Sequence, residues 1–191
     1  MNFDESFNPF NDLFVAQDSK PNHILDLDLE TLNPFQRVVL IHDGTVTKLF
    51  EVYRAEPIEV ELLSQKVEVL SDNPWLKLSK PTEVVDRMVL LKGKRSGRPV
   101  TYATSSIVLN RTPKSIHQGL NTDGMGLGRM MSASLMEHRR ELLWYGREHL
   151  DELPIQVAEV MENDFMSRMY RIVVDDLPLM VINERFSLSL K

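Results

Sequence analysis

The chain has 191 residues, 42% of them hydrophobic and 26% charged, with a net charge of −6. Those values describe one ordinary globular domain, and the acidic balance argues against a general nucleic-acid binder. The lack of cysteine excludes disulfides, thiolate metal sites and a cysteine nucleophile.

The first residues, Met1-Asn2-Phe3-Asp4-Glu5, are acidic and lack the basic and apolar regions of a signal peptide. No apolar run approaches the length of a membrane span. A cytoplasmic protein is the expectation. Residues 1–30 mix Asn, Asp, Ser and Pro with scattered aromatics and read as an irregular, loosely attached arm, leaving 31–191 as the folded domain. Thr31 or Asn33 caps a short helix through Ile41, with Pro34 in its first turn. His42-Asp43-Gly44 breaks it, and Thr45 caps a second helix from Val46 to about Arg54. A DNA-reading version of this hairpin would need a basic second helix, and only Lys48 and Arg54 are there.

Strand signals follow. Ile58, Val60 and Leu62 alternate with glutamates, Val67 and Val69 flank Glu68, and Val84–Leu91 and Val100–Leu109 are apolar runs. Between the last two, Lys92-Gly93-Lys94-Arg95-Ser96-Gly97-Arg98 is basic, but its Ser-Gly centre predicts a hairpin turn. Residues 112–124 read as a short helix and a turn. Leu127, Met131, Leu135 and Leu142 recur at helical spacing and predict a long helix from about Met125 to Leu150. A linker after Leu153-Pro154 leads to two last strands, Arg168–Val174 and Leu179–Leu190, joined through Asp175-Asp176. Many short-turned strands and few helices predict an α+β fold: a single antiparallel sheet with helices on one face.

Most familiar chemistry is excluded. Gly124-Met125-Gly126-Leu127-Gly128 carries Arg129 where a dinucleotide fingerprint needs its third glycine, and no βαβ unit surrounds it. A plain loop and a ligand-covering flap both fit it. The five histidines form no metal-ligand spacing, His138 falls on the stripe of the long helix as a packed residue, and there is no GxSxG elbow. No metal site is expected.

Two charges stand out. In the last strand, Glu184 shares a face with Met180, Ile182, Phe186 and Leu188, while Asn183, Arg185 and Ser187 take the other, wet face. In the Val84–Leu91 run, Arg87 shares its face with Val85, Val89 and Leu91. A buried charge must be paired, neutralised or used. A structural ion pair satisfies that demand, and so does a cavity that grips a small polar acid.

Five short motifs occur in a specific order: Asp43-Gly44-Thr45-Val46-Thr47-Lys48-Leu49-Phe50-Glu51, Asp86-Arg87-Met88-Val89-Leu90, Tyr102-Ala103-Thr104-Ser105, Leu127-Gly128-Arg129, and Pro178 to Phe186 around Asn183-Glu184-Arg185. In these, from about Leu32 to Leu190, the chain resembles the chorismate pyruvate-lyase (4-hydroxybenzoate synthase) family, in its shorter cyanobacterial, archaeal and plastid branch. The resemblance implies a cofactor-independent lyase that turns chorismate into 4-hydroxybenzoate and pyruvate for quinone head-group synthesis. It implies a ligand held inside the protein beneath two helical flaps. Arg87 would grip the ring carboxylate. Glu184, its pKa raised by apolar surroundings, would meet the ring oxygen and assist proton transfer. Val46, Thr47, Leu127 and Gly128 would belong to the flaps, with Thr104 also at the site. Some relatives carry a second arginine in the strand after the turn; here Tyr102-Ala103-Thr104-Ser105 has none, and Arg168 is the candidate substitute. The same fold also serves as an effector-binding domain that senses small molecules, which is the alternative reading.

Overall fold

Two three-stranded meanders joined side by side make the sheet. The computed structural model describes residues 8–120, 126–133 and 136–190. The first meander is β2 (Ile58–Leu70), β3 (Thr82–Gly93) and β4 (Pro99–Val108). The second is β5 (Arg139–His149), β6 (Asp164–Val174) and β7 (Leu177–Ser187). A two-residue strand, β1 (Ile24–Leu25), adds to β5, and the order is β1-β5-β6-β7-β4-β3-β2 with every pairing antiparallel. The fold is α+β.

The β4–β7 seam has a consequence for everything above it. The chain must cross from β4, at the seam, to β5, at the far edge of the second meander. That crossing carries α3 (Lys114–Leu120) and α4 (Leu127–Ala133), while α1 (Pro34–Ile41) and α2 (Val46–Arg54) precede β2. All four helices pack on one sheet face: Val39, Leu40, Val46, Phe50, Ile116, Leu120, Met130 and Met131 join Val85, Met166, Tyr170, Ile182 and Phe186 in one core. Burying a ring such as Phe50, which stacks on Phe186 with centroids 6.3 Å apart, contributes about 2 kcal/mol.

Local chemistry fixes α1. Asn33 is its cap: its side chain accepts from the Gln36 N–H, and the Gln36 side chain accepts from the Asn33 N–H, a capping box with Pro34 behind it. The Gln36 and Asn33 amides then donate to the carbonyls of Leu188 and Leu190, both at 2.8 Å, tying the helix to the end of the chain.

The opposite sheet face is covered too. Leu76 and Leu78 pack on Val84, Val108, Trp144 and Val181, and Val157 of the single-turn α5 (Ile155–Ala158) packs on Leu90, Tyr102 and Phe165. The face of β7 expected to be wet is therefore closed. Arg185 is buried there, held by Glu148 through two hydrogen bonds of 3.0 and 2.9 Å.

Two further expectations change. The long helix to Leu150 does not form: α4 ends at Ala133 and β5 begins at Arg139. A bulge lies between Leu142 and Trp144, so Leu143 and Trp144 both face the Leu76 side while Leu142 and Tyr145 face the helices. That extra residue breaks the period of two and leaves a spacing that imitates a helix. Leu135, Met125 and the 121–124 turn lie outside the described residues. The N-terminal segment, in its described part, is tied down. Val15 and Ala16 donate to the carbonyls of Leu142 and Leu143, both at 2.9 Å, and Phe10 and Phe14 pack on the Tyr145 ring. Gly146 permits the β1 contact, since a Cβ there would sit 2.4 Å from the Leu25 carbonyl.

Candidate active site

Beneath the four helices, at the β4–β7 seam, lies a cavity of about 150 Å³. Arg87, Val89 and Leu91 of β3 and Thr101, Ala103 and Ser105 of β4 form its floor with Ile182 and Glu184 of β7 and Tyr170 and Ile172 of β6. Its roof is Asp43 to Thr47 on one side and Gly126 to Gly128 with Met131 on the other. Cavities of about 150 Å³ lined by apolar groups hold a benzene ring.

Register places the two charges. Arg87 pairs with Ser105 and Glu184 with Ala103, so the residues lie on strands flanking β4. Their backbones are two strand spacings apart, about 10 Å, with an offset of about 7 Å along the strand. Both side chains line the cavity, with room between them. Arg87 is 2% exposed, and burial pushes its guanidinium pKa down from the ordinary range.

Glu184 sits in a prepared cradle. The Arg168 Nε donates to its Oε2 at 2.9 Å, Nη2 lies 2.8 Å from the same oxygen as an ion pair, and the Tyr170 hydroxyl donates to its Oε1 at 3.1 Å. Burial, reinforced by the Glu184 charge, pushes the Tyr170 phenol well up, so it remains a donor. The premise that the carboxylate has purely apolar neighbours therefore fails: a buried cation and a phenol hold it, and Oε1 keeps acceptor capacity for a ligand.

Arg168 does more than pair. Its Nη1 donates to the carbonyls of Val39, Leu40 and His42 at 2.6, 3.1 and 2.7 Å, which satisfies the open C-terminus of α1. From β5, Arg140 donates to the carbonyls of Asp43 and Gly44. Two arginines thus pin the α1–α2 corner to the sheet. Burial, then the Arg168 cation, push the His42 imidazole down from its ordinary value. The opposing flap meets it closely: a Cβ on Gly128 would lie 2.4 Å from the Thr45 Cγ2. Across the top, Arg129 pairs with Glu51 at 2.8 Å on the surface.

Of the residues singled out in the sequence, Arg87, Glu184, Val46, Thr47, Leu127 and Gly128 line this one cavity. Thr104 does not. Odd-numbered residues of β4 face the cavity, and Thr104 points to the other face, where its hydroxyl accepts from Arg185 at 3.1 Å. Arg168 stands behind Glu184, fully buried, and is not in the wall. His138 lies outside any helix, exposed at the cavity rim. Sequence reasoning missed Tyr170 and Arg140. Tyr170 alternates with Arg168 and Ile172 on one strand face, a readable signal, whereas Arg140 was hidden inside the supposed helix. Among the described residues, no group of three or more His, Cys, Asp or Glu could hold a metal ion, and no helix is long and apolar enough to cross a membrane.

Comparison with known proteins bears on this cavity. A family model described as "Chorismate pyruvate-lyase Rv2949c-like" matches residues 40–191. Chorismate pyruvate-lyase of Mycobacterium leprae (strain TN) is 28% identical over 166 residues, covering 83% of this chain and 77% of that protein. Chorismate pyruvate-lyase of Mycobacterium tuberculosis (strain CDC 1551 / Oshkosh) is 26% identical over 171 residues, covering 84% and 83%. These relatives are mycobacterial and lend no support to a cyanobacterial, archaeal or plastid branch. In fold, the chain is similar to the effector domain of PhnF from Mycobacterium smegmatis, with TM-score 0.53, 12% identity and coverage of 75% of this chain and 88% of that one.

Proposed function

The chain belongs to the Rv2949c-like chorismate pyruvate-lyase family, and from that premise we propose that it converts chorismate to 4-hydroxybenzoate and pyruvate in the cavity between Arg87 and Glu184. The observation that carries this reading is the placement of a buried arginine and a cradled carboxylate in the wall of one cavity of ring size.

The chemistry asks little of the protein beyond placement. Chorismate holds a ring carboxylate, a hydroxyl and an enolpyruvyl ether on a cyclohexadiene. The carbon bearing the hydroxyl loses its proton, the ether bond at the adjacent ring carbon breaks, and the electron pair leaves with enolpyruvate. Enolpyruvate takes up a proton to become pyruvate. No water is consumed and nothing is oxidised, and aromatisation drives the step. Arg87 fixes the ring carboxylate, where a guanidinium fork is well matched. Glu184, aimed by Arg168 and Tyr170, accepts the hydroxyl's hydrogen bond and assists the proton transfer. The two flaps exclude water from the ring. An enclosed aromatic product makes release a candidate for the slow step. In this reading the reaction runs in the cytoplasm without a cofactor, and the product supplies a quinone head group.

The fold likeness to the PhnF effector domain favours a second reading: a non-catalytic sensor that binds an aromatic acid in the same cavity. Mixing purified protein with chorismate and following pyruvate and 4-hydroxybenzoate separates the two. Equimolar appearance of both supports the lyase. Pyruvate with a different hydroxybenzoate revises the product. Neither product, together with tight binding of an aromatic acid, favours the sensor.

A further inference from the structure

Chorismate carries two carboxylates, and Arg87 accounts for one. A second anion brought out of water needs a second cation. Arg168, the substitute expected from the sequence, cannot serve: it is fully buried behind Glu184 and outside the cavity wall, with Nε and Nη2 against the Glu184 carboxylate and Nη1 on three backbone carbonyls. Arg140 is different. It lies in the cavity wall, and only its Nη1 is engaged, by the Asp43 and Gly44 carbonyls. Its Nε is buried without a hydrogen-bond partner among the described residues, and none of their ion pairs includes it. The guanidinium is held over the Tyr170 ring, 4.4 Å from its centroid, which fixes its plane.

Position then decides its use. Tyr170 is the residue that hydrogen-bonds Glu184, so Arg140 stands at the Glu184 end of the cavity. In chorismate the ether carbon is next to the hydroxyl-bearing carbon. With the ring carboxylate on Arg87 and the hydroxyl at Glu184, the enolpyruvyl carboxylate falls at that same end. We propose that Arg140 receives the enolpyruvyl carboxylate through its Nε edge, making this cavity selective for a dianionic enol ether over an aromatic mono-acid. The proposal rests on the lyase reading above. It gives the site a distinction between substrate and aromatic product: 4-hydroxybenzoate lacks the second carboxylate and makes no contact with Arg140.

The test compares two ligands. The wild-type protein is titrated with 4-hydroxybenzoate and with 3-(carboxymethoxy)-4-hydroxybenzoate, a non-cleavable aromatic bearing both carboxylates. The dianion should bind about ten- to a hundred-fold more tightly, the range for a hydrogen bond to a charged group. Arg140→Met should erase that preference and raise KM for chorismate by a similar factor, with a smaller loss of 4-hydroxybenzoate affinity than of dianion affinity. Arg140→Lys, which keeps the charge, should recover part of the loss. Equal wild-type affinity for the two acids overturns the proposal, as does an Arg140→Met loss shared equally by both, which would mark a purely structural arginine. The wild-type comparison decides the matter even if Arg140→Met fails to fold. A retained dianion preference in a protein that makes no 4-hydroxybenzoate would sink the lyase reading instead.

Discussion

Glu184 and Arg168 form a buried pair in which each side chain also acts outside the pair. The carboxylate faces the cavity, and the guanidinium caps α1. Removing one partner of such a pair costs about 3–5 kcal/mol, because the other charge stays buried. Arg168→Met should therefore lower stability by about that amount, read as a fall in the denaturant midpoint. Glu184→Gln keeps an acceptor in place, and kcat should fall about 10²- to 10⁴-fold; full activity would remove Glu184 from the chemistry. Asp86, on the other face, tests the electrostatics independently. Burial pushes its carboxyl above the ordinary 3.8, opposed by the Ser106 hydroxyl and helped by Glu68. A carboxyl raised in the folded state weakens the fold at neutral pH, and the penalty vanishes once the pH falls below the unfolded value. Asp86→Asn should thus raise Tm at pH 7, with the gain shrinking toward pH 4; an unchanged or lower Tm at pH 7 would contradict this. Alternation in two strands found Arg87 and Glu184 as charges on apolar faces, and the resemblance gave them their expected roles. The identity of Glu184's partner was not legible, because it depends on which strand neighbours β7, and that neighbour is set by the whole sheet.

The elements most easily read were those whose period is unbroken. The Pro34 start of α1 and the alternation of β3 and β7 each follow from a few residues and short-range rules. β5 was lost because its bulge at Leu143 removes the period of two, and Arg140 was lost with it. The flaps themselves rest on small clearances. Gly128 meets Thr45 so closely that Gly128→Ala should displace α4 and weaken 4-hydroxybenzoate binding, and adding Thr45→Ala should restore it. Failure of the double variant to recover affinity would show that the two flaps do not meet there. The Arg129–Glu51 bridge across the flaps is mostly exposed at its arginine, so Arg129→Ala should change stability by less than about 1 kcal/mol.

At the scale of the molecule, the β4–β7 seam brings distant parts of the chain into one site. Residues 32–57 and the crossing between β4 and β5 arch over the same sheet face, and the cavity is what their helices leave open. The antiparallel sheet was legible from short turns and alternating runs, as was the presence of flaps from the resemblance. Strand order was not, since no local pattern says that β7 lies beside β4. The closed second face was missed for a related reason: the Leu76 and Val157 segments that cover it are irregular or a single turn. The claim at the centre is that Arg87 holds the carboxylate of the bound ring. Calorimetric titration of 4-hydroxybenzoate into wild-type, Glu184→Gln and Arg87→Ala proteins tests it most directly. The wild type and Glu184→Gln should bind, and Arg87→Ala should give no measurable binding. An Arg87→Ala protein that is folded and binds 4-hydroxybenzoate as well as the wild type would contradict it.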